Sequence, residues 1–98
     1  MANICENTFY AASDKEENIT YIHTFLEDKL DAEIYGESNE DLEAGFDSKW
    51  SFPEELMDEL YKGLPDKSDI YMRCLSVEYG CDYVAYHKCD EDGWTCIV

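Results

Sequence analysis

Apolar positions recur along the chain at two spacings, and the change from one to the other separates strands from helices. Asn7 to Ala12 ("NTFYAA") suits a first strand, rich in aromatic and small side chains. From Ile19 the spacing lengthens. Ile19, Ile22, Leu26 and Leu30 fall on one helical stripe, widened by Phe25, and Glu27, Asp28 and Asp31 lie off it. Ser13 and Asp14 stand where a cap is wanted, and Glu16 and Glu17 follow in the first turn, where the helix dipole favours carboxylates. This helix is expected to end between Ala32 and Tyr35, before Gly36.

Glu37 to Trp50 begins as a polar acidic loop and becomes a strand around Ala44 to Lys49. "SFPEELMDELYKGLP", Ser51 to Pro65, predicts a second helix with a greasy face of Leu56, Met57, Leu60, Tyr61 and Leu64. Its other face carries Glu54, Glu55, Asp58 and Glu59 against Lys62. Ser51 and Glu54 have the spacing of a capping box, Pro53 is tolerated in the first turn, and Gly63 and Pro65 stop the helix. The remainder reads as sheet. "DIYMRCLSVEY" and "CDYVAYHKC" form a hairpin through Gly80, and Gly93 allows a short last strand, "WTCIV". No internal repeat, linker or low-complexity tract interrupts this order. Strand, helix, strand, helix, then antiparallel strands predicts one α+β domain over residues 1–98. The expected architecture is a two-layer sandwich, with two helices on one face of a mostly antiparallel sheet.

Composition changes the picture through charge. Hydrophobic residues make up 45% of the 98 residues and aromatics 14%, enough for a modest core and against a disordered chain. Asp and Glu number 24 against 7 Lys and Arg, a formal net charge of −17. Solubility needs a magnitude of only about 2–8 in a small domain. The excess destabilises the compact state by self-repulsion and repels a phosphate backbone, so direct nucleic-acid binding is disfavoured. Glu54/Asp58, Glu55/Glu59 and Glu27/Asp31 are like-charge i,i+4 pairs, each unfavourable by about 0.2–0.5 kcal/mol. Carboxylates so placed suit a protein groove built for phosphates. The candidate partner-binding residues are Glu27, Asp28 and Asp31, then Glu54, Glu55, Asp58 and Glu59, with Glu37, Glu40 and Asp41 at the rim. The competing reading is a solvated face without a partner.

Three stretches carry a family resemblance. "M-A-N-I-C-E-N-T" looks like the "M-x-N-W-C-x-N" opening of YubB-type ferredoxin-like proteins of phages and plasmids, with Ile4 where the family has Trp. "FDSKWSFPEELMDEL" resembles that family's "W-S-x-P" before a helix, and "SVEYGCDYVAY" its later hairpin. The resemblance implies a ferredoxin-like fold and a mobile-element origin, and it carries no catalytic residues across.

Other candidate chemistry is sparse. Cys81, His87, Cys89 and Cys96 offer a Cys₃His set for zinc but lack the close C-x₂₋₄-C hook. "CDEDGW" reads as a turn, since the twelve-residue calcium loop has no room before Val98. There is no P-loop, G-x-G-x-x-G or H-E-x-x-H, and His23 and His87 lack a companion nucleophile motif, so no catalytic residue is assigned. His23 is read as a polar helix residue and His87 as a sheet-face residue. Tyr71, Tyr79, Tyr83 and Tyr86 with Trp94 are placed on an exposed sheet face, a second possible contact surface. "MANICENTFY" has no basic n-region or long apolar run, so no signal peptide is expected and reduced cysteines place the chain in the host cytoplasm.

The expected function is a non-enzymatic, cofactor-free phage-type inhibitor. It would occupy the basic nucleic-acid-binding surface of a host defence complex, as an anti-CRISPR or nucleic-acid mimic. The alternatives are a metal-stabilised or small-ligand module built on the Cys/His cluster, and an acidic housekeeping phage protein.

Overall fold

In the computed structural model, which describes residues 4–49, 51–80 and 83–98, the chain opens with strand β1, Ile4–Ala12. Its side chains alternate: Cys5, Asn7, Phe9 and Ala11 point into the core, while Ile4, Glu6 and Thr8 are exposed. The strand starts three residues earlier than expected because it is paired on both sides. It meets β3 from Ile4↔Lys49 and β4 from Cys5↔Glu78. Helix α1, Glu16–Leu30, buries Asn18, Ile19, Ile22, Phe25 and Leu26. It ends at Asp31, whose left-handed conformation (φ 50°) directs its N–H to the Leu26 carbonyl.

That early stop frees Glu33–Glu37 to form β2, an edge strand that the sequence pattern hid in a helix end and a loop. Its side chains are mostly exposed, so hydropathy gives no signal. Pairing with β3, through a bulge between Ile34 and Gly36, holds it in place. Pairing with β2 from Leu42 and with β1 from Asp41 extends β3 back, giving Asp41–Lys49. Helix α2 is Glu54–Lys62, followed by β4 (Tyr71–Glu78), β5 (Tyr83–Asp90) and β6 (Gly93–Cys96). The hairpin between β4 and β5 runs through Tyr79 and Gly80 as expected.

The six strands lie in the order β2-β3-β1-β4-β5-β6, and every neighbouring pair is antiparallel. β1 and β2 flank β3, so α1 crosses over one strand; α2 likewise crosses β1 to join β3 to β4. Both helices contribute to one core, in which Ile22 and Leu26 of α1 and Met57 and Leu60 of α2 meet Phe9, Leu42 and Met72 of the sheet. The fold is therefore α+β, with both helices against one sheet face. No helix among the described residues is long and apolar enough to cross a membrane.

Neither expected cap forms. The N-caps of α1 and α2 are Lys15 and Pro53, and neither makes a side-chain capping bond. Ser13 instead accepts from the Lys15 N–H at 3.0 Å and donates to the Asp69 carbonyl at 2.6 Å. Buried Asn18 continues this lashing. Its Nδ2 donates to the Asp66 carbonyl at 2.8 Å and its Oδ1 accepts from the Asp66 N–H at 3.0 Å. These polar residues are used for anchoring the loop before β4, a tertiary demand that outweighs local capping. Asn7 plays a similar part within the sheet, accepting from Ser76 Oγ at 2.7 Å and donating to Ser48 Oγ at 2.9 Å.

Candidate functional site: an acidic helix face and its aromatic groove

Helix α2 turns Met57 and Leu60 into the core, and this leaves Glu54, Glu55, Asp58 and Glu59 exposed. Asp58 pairs with Lys62 at 2.9 Å, but both side chains are more than half exposed, so the pair contributes little. Among the described residues, Glu54, Glu55 and Glu59 have no ion pair. The outer side of α2 is thus anionic from Glu54 to Glu59, with Lys62 its one cation in the last turn.

The other candidate carboxylates do not continue this face as one layer. Glu27 and Asp28 are exposed on α1, and Asp31 is exposed at its end. Glu27 is engaged, however: His23 Nε2 lies 2.9 Å from its Oε1, and His23 Nδ1 contacts Glu37 Oε1. His23 therefore clips α1 to β2, and it is more than the polar helix residue expected from sequence. Its pKa is raised, first by the hydrogen bond to Glu37 and then by the charges of Glu37 and Glu27, against some desolvation. Asp31 lines a separate depression with Glu6, Glu33 and Asp47. Glu40 and Asp41 line a third, with Asp14 and Asp69, and Ser38 Oγ donates to Asp41 there at 2.8 Å. The candidate residues form several acidic clusters, and the α2 cluster adjoins a groove walled by Phe52, His87 and Trp94.

That groove, about 410 Å³, is rimmed by Glu54, Glu55 and Asp58 and walled by Phe52, His87 and Trp94, with Cys96 on its β6 side. The His87 ring stacks on Phe52 with centroids 3.7 Å apart and planes 9° from parallel. Trp94 meets Phe52 edge-on at 5.3 Å and 66°. The indole is held in turn by its Nε1–H, which donates to the Met57 carbonyl at 2.8 Å. Burial pushes the His87 pKa down, and the nearby Glu54 charge opposes this only in part. Its Nδ1 is closed off from solvent and has no hydrogen-bond partner among the described residues.

The expected aromatic sheet face divides. Tyr71 and Tyr86 do lie on the open face, where Arg73 sits 4.3 Å from the centroid of Tyr10 and 5.9 Å from that of Tyr71. Trp94 and Tyr83 are on the helix side instead; the Tyr83 hydroxyl accepts from the Phe52 N–H at 3.5 Å. Tyr79 lies exposed in the turn. The strand period explains the division, since Tyr83, Ala85, His87 and Cys89 share one side of β5. His87 is accordingly a sheet-face residue, as expected, and its face is the buried one on the helix side. The same alternation was available in the sequence, but Phe52 carried no signal beyond its place before Pro53.

Among the described residues, no three His, Cys, Asp or Glu side chains form a group that could hold a metal ion. Cys96 stands opposite His87 across β5 and β6 and is exposed. Cys89 is buried, and burial pushes its thiol up to about 12. Cys81, the remaining member of the sequence-predicted set, lies outside the described residues. Comparison with protein-family models, curated proteins and solved structures finds no match.

Proposed function

We propose that the chain is a small acidic binding protein without catalysis, which occupies a basic nucleic-acid-binding surface of a host defence complex in the host cytoplasm. The inhibitor would be of phage type, an anti-CRISPR or nucleic-acid mimic, and YubB-type in ancestry. The observation that carries this reading is the outer side of α2, where Glu54, Glu55, Asp58 and Glu59 are exposed and Lys62 neutralises only Asp58. Holding such charges together works against folding in a chain of net charge −17, and an opposing basic surface relieves that repulsion. The ferredoxin-like reading has its own support. β1-α1-β2-β3-α2-β4 in the sheet order β2-β3-β1-β4 is the split β-α-β arrangement, to which β5 and β6 add an outer hairpin.

The test immobilises the protein, passes a bacterial host lysate over it at low salt, and elutes with short duplex DNA. Proteins released by DNA, and released progressively as ionic strength rises, are the expected result. Retained proteins indifferent to both DNA and salt would overturn the reading, as would no retention at all.

A further inference from the structure

Both helices pack on one side of the sheet, and among the described residues nothing covers the other side. Five of the seven exposed large hydrophobic side chains described lie there: Ile4, Tyr35, Leu75, Val84 and Ile97. Charge on this open side is divided. Glu6, Glu43 and Asp47 stand on β1 and β3, whereas Arg73 and Lys88 stand on β4 and β5. Arg73 and Lys88 are directly opposite one another across the β4–β5 ladder, and like charges so placed are unfavourable. The chain has 24 acidic residues to relieve them. Yet among the described residues neither cation has a carboxylate partner, and Glu43 has no cation. Arg73 instead lies over the ring of Tyr10, 4.3 Å from its centroid.

We propose that this open sheet face is the contact between two copies of the chain, packed face to face about a two-fold axis that runs along the strands between β1 and β4. Those strands are the middle pair of the sheet. Rotation about that axis lays β1 over β4 of the second copy and β3 over its β5. The registers Glu43↔Tyr10, Tyr10↔Arg73 and Arg73↔Lys88 place four residues in one row across the sheet. The row therefore meets its own reverse. Glu43 falls opposite Lys88 of the second copy, and Tyr10 opposite its Arg73. Each unpaired charge gains the partner it lacks, and each guanidinium gains a second ring. In the next row Thr8 falls opposite Leu75. Aligned sheets cross at about 30°, so their corners diverge. A like-charge contact, Asp41 against Asp90, falls at that diverging end. The divided charge selects a second copy as the occupant. A basic partner would meet Arg73 and Lys88, and an acidic one Glu6, Glu43 and Asp47, whereas a copy brings both signs in reversed order. The pair carries both α2 faces outward, so it leaves the acidic-binding reading undisturbed.

The experiment is sedimentation equilibrium of the whole protein over a wide concentration range, in physiological salt to screen the overall repulsion. The mass should rise from 11.4 kDa towards twice that value. Lys88→Glu sets two carboxylates opposite one another across the interface and should weaken association about tenfold or more. Within one copy the same change puts a carboxylate beside Arg73, so the melting temperature of the monomer should not fall. Glu43→Lys should weaken association in the same way. The two changes together exchange the charges and should restore it. A chain that stays monomeric at every concentration overturns the proposal. So does a dimer indifferent to either single reversal, or one that the double exchange fails to restore. The capture experiment reads the α2 side and this one the open sheet, so the two readings fail separately.

Discussion

Trp94 Nε1 donates to the carbonyl oxygen of Met57 at 2.8 Å, tying the last strand to the middle of α2. This bond joins the outer hairpin to the helix that bears the acidic face, and it sets the edge of the groove between them. Trp94→Phe keeps a ring against Phe52 but removes the donor. Loss of one such bond is worth about 0.5–1.5 kcal/mol, so denaturant unfolding should show a destabilisation of that order. A variant as stable as the parent would mean that the indole bond contributes nothing net.

His23 gives the fold a pH dependence of known sign. Its folded pKa is raised, with the Glu37 hydrogen bond as the leading cause. The clip therefore contributes its full stability below the unfolded value of about 6.5, and loses it as pH rises through the higher folded value. The His23→Gln variant should be less stable than the parent at pH 6, and the gap should close towards pH 8. Melting curves of both proteins across that span check it; a gap that widens with pH would reverse the assignment.

The parts of this fold that hydropathy could reveal are those whose two faces differ. α1 and α2 alternate apolar and charged positions, and both stripes face the core where expected. β2 has no such contrast: Ile34 is its one half-buried residue, and its existence depends on pairing with β3. Ser13, Asn18 and Ser51 carry capping residues' chemistry, but the loop before β4 and the end of β3 claim their backbone surroundings. For the site, the exposure of the α2 carboxylates was legible from the stripe Met57 and Leu60. The groove was not, because it joins Phe52 to His87, which are 35 positions apart (87 − 52) and meet only once β5 and β6 extend the sheet under α2.

The thiols should react in a defined order. Cys5, Cys74 and Cys89 are fully buried, and burial pushes the Cys74 and Cys89 thiols up to about 12. The thiolate is the reactive form, so these three should resist alkylation in the native protein, while exposed Cys96 is modified. Brief iodoacetamide treatment followed by peptide mass mapping reads this directly. Modification of Cys74 or Cys89 at the rate of Cys96 would contradict their burial. In the same reduced preparation, elemental analysis is expected to find no zinc; one zinc per chain would bring the Cys/His alternative forward.

Charge reversal on α2 separates a binding face from a merely wet one. Lys62 already neutralises Asp58, so reversing Asp58 would break a pair and set two cations four residues apart. Glu54 forms no capping bond, but it lies in the first turn, where its charge suits the helix dipole. Glu59 has neither obligation. It sits near the helix end that favours cations, it faces like-charged Glu55 one turn back, and its charge adds to burial in raising the Tyr21 phenol. Glu59→Lys should therefore leave the melting temperature unchanged or raise it, since no packing is lost and a repulsion is removed. Adding Glu55→Lys gives up a favourable dipole contact of about 0.3–1 kcal/mol and sets two cations four residues apart, which should appear as a small drop relative to Glu59→Lys alone. Both variants keep Met57 and Leu60 in place, so the fold should survive and circular dichroism should be unchanged. Partner binding should weaken with the first substitution and vanish with the second, along with most of its salt dependence. If the doubly reversed protein still binds its partner with parental affinity, the acidic side of α2 is solvated surface and the contact lies elsewhere on the molecule.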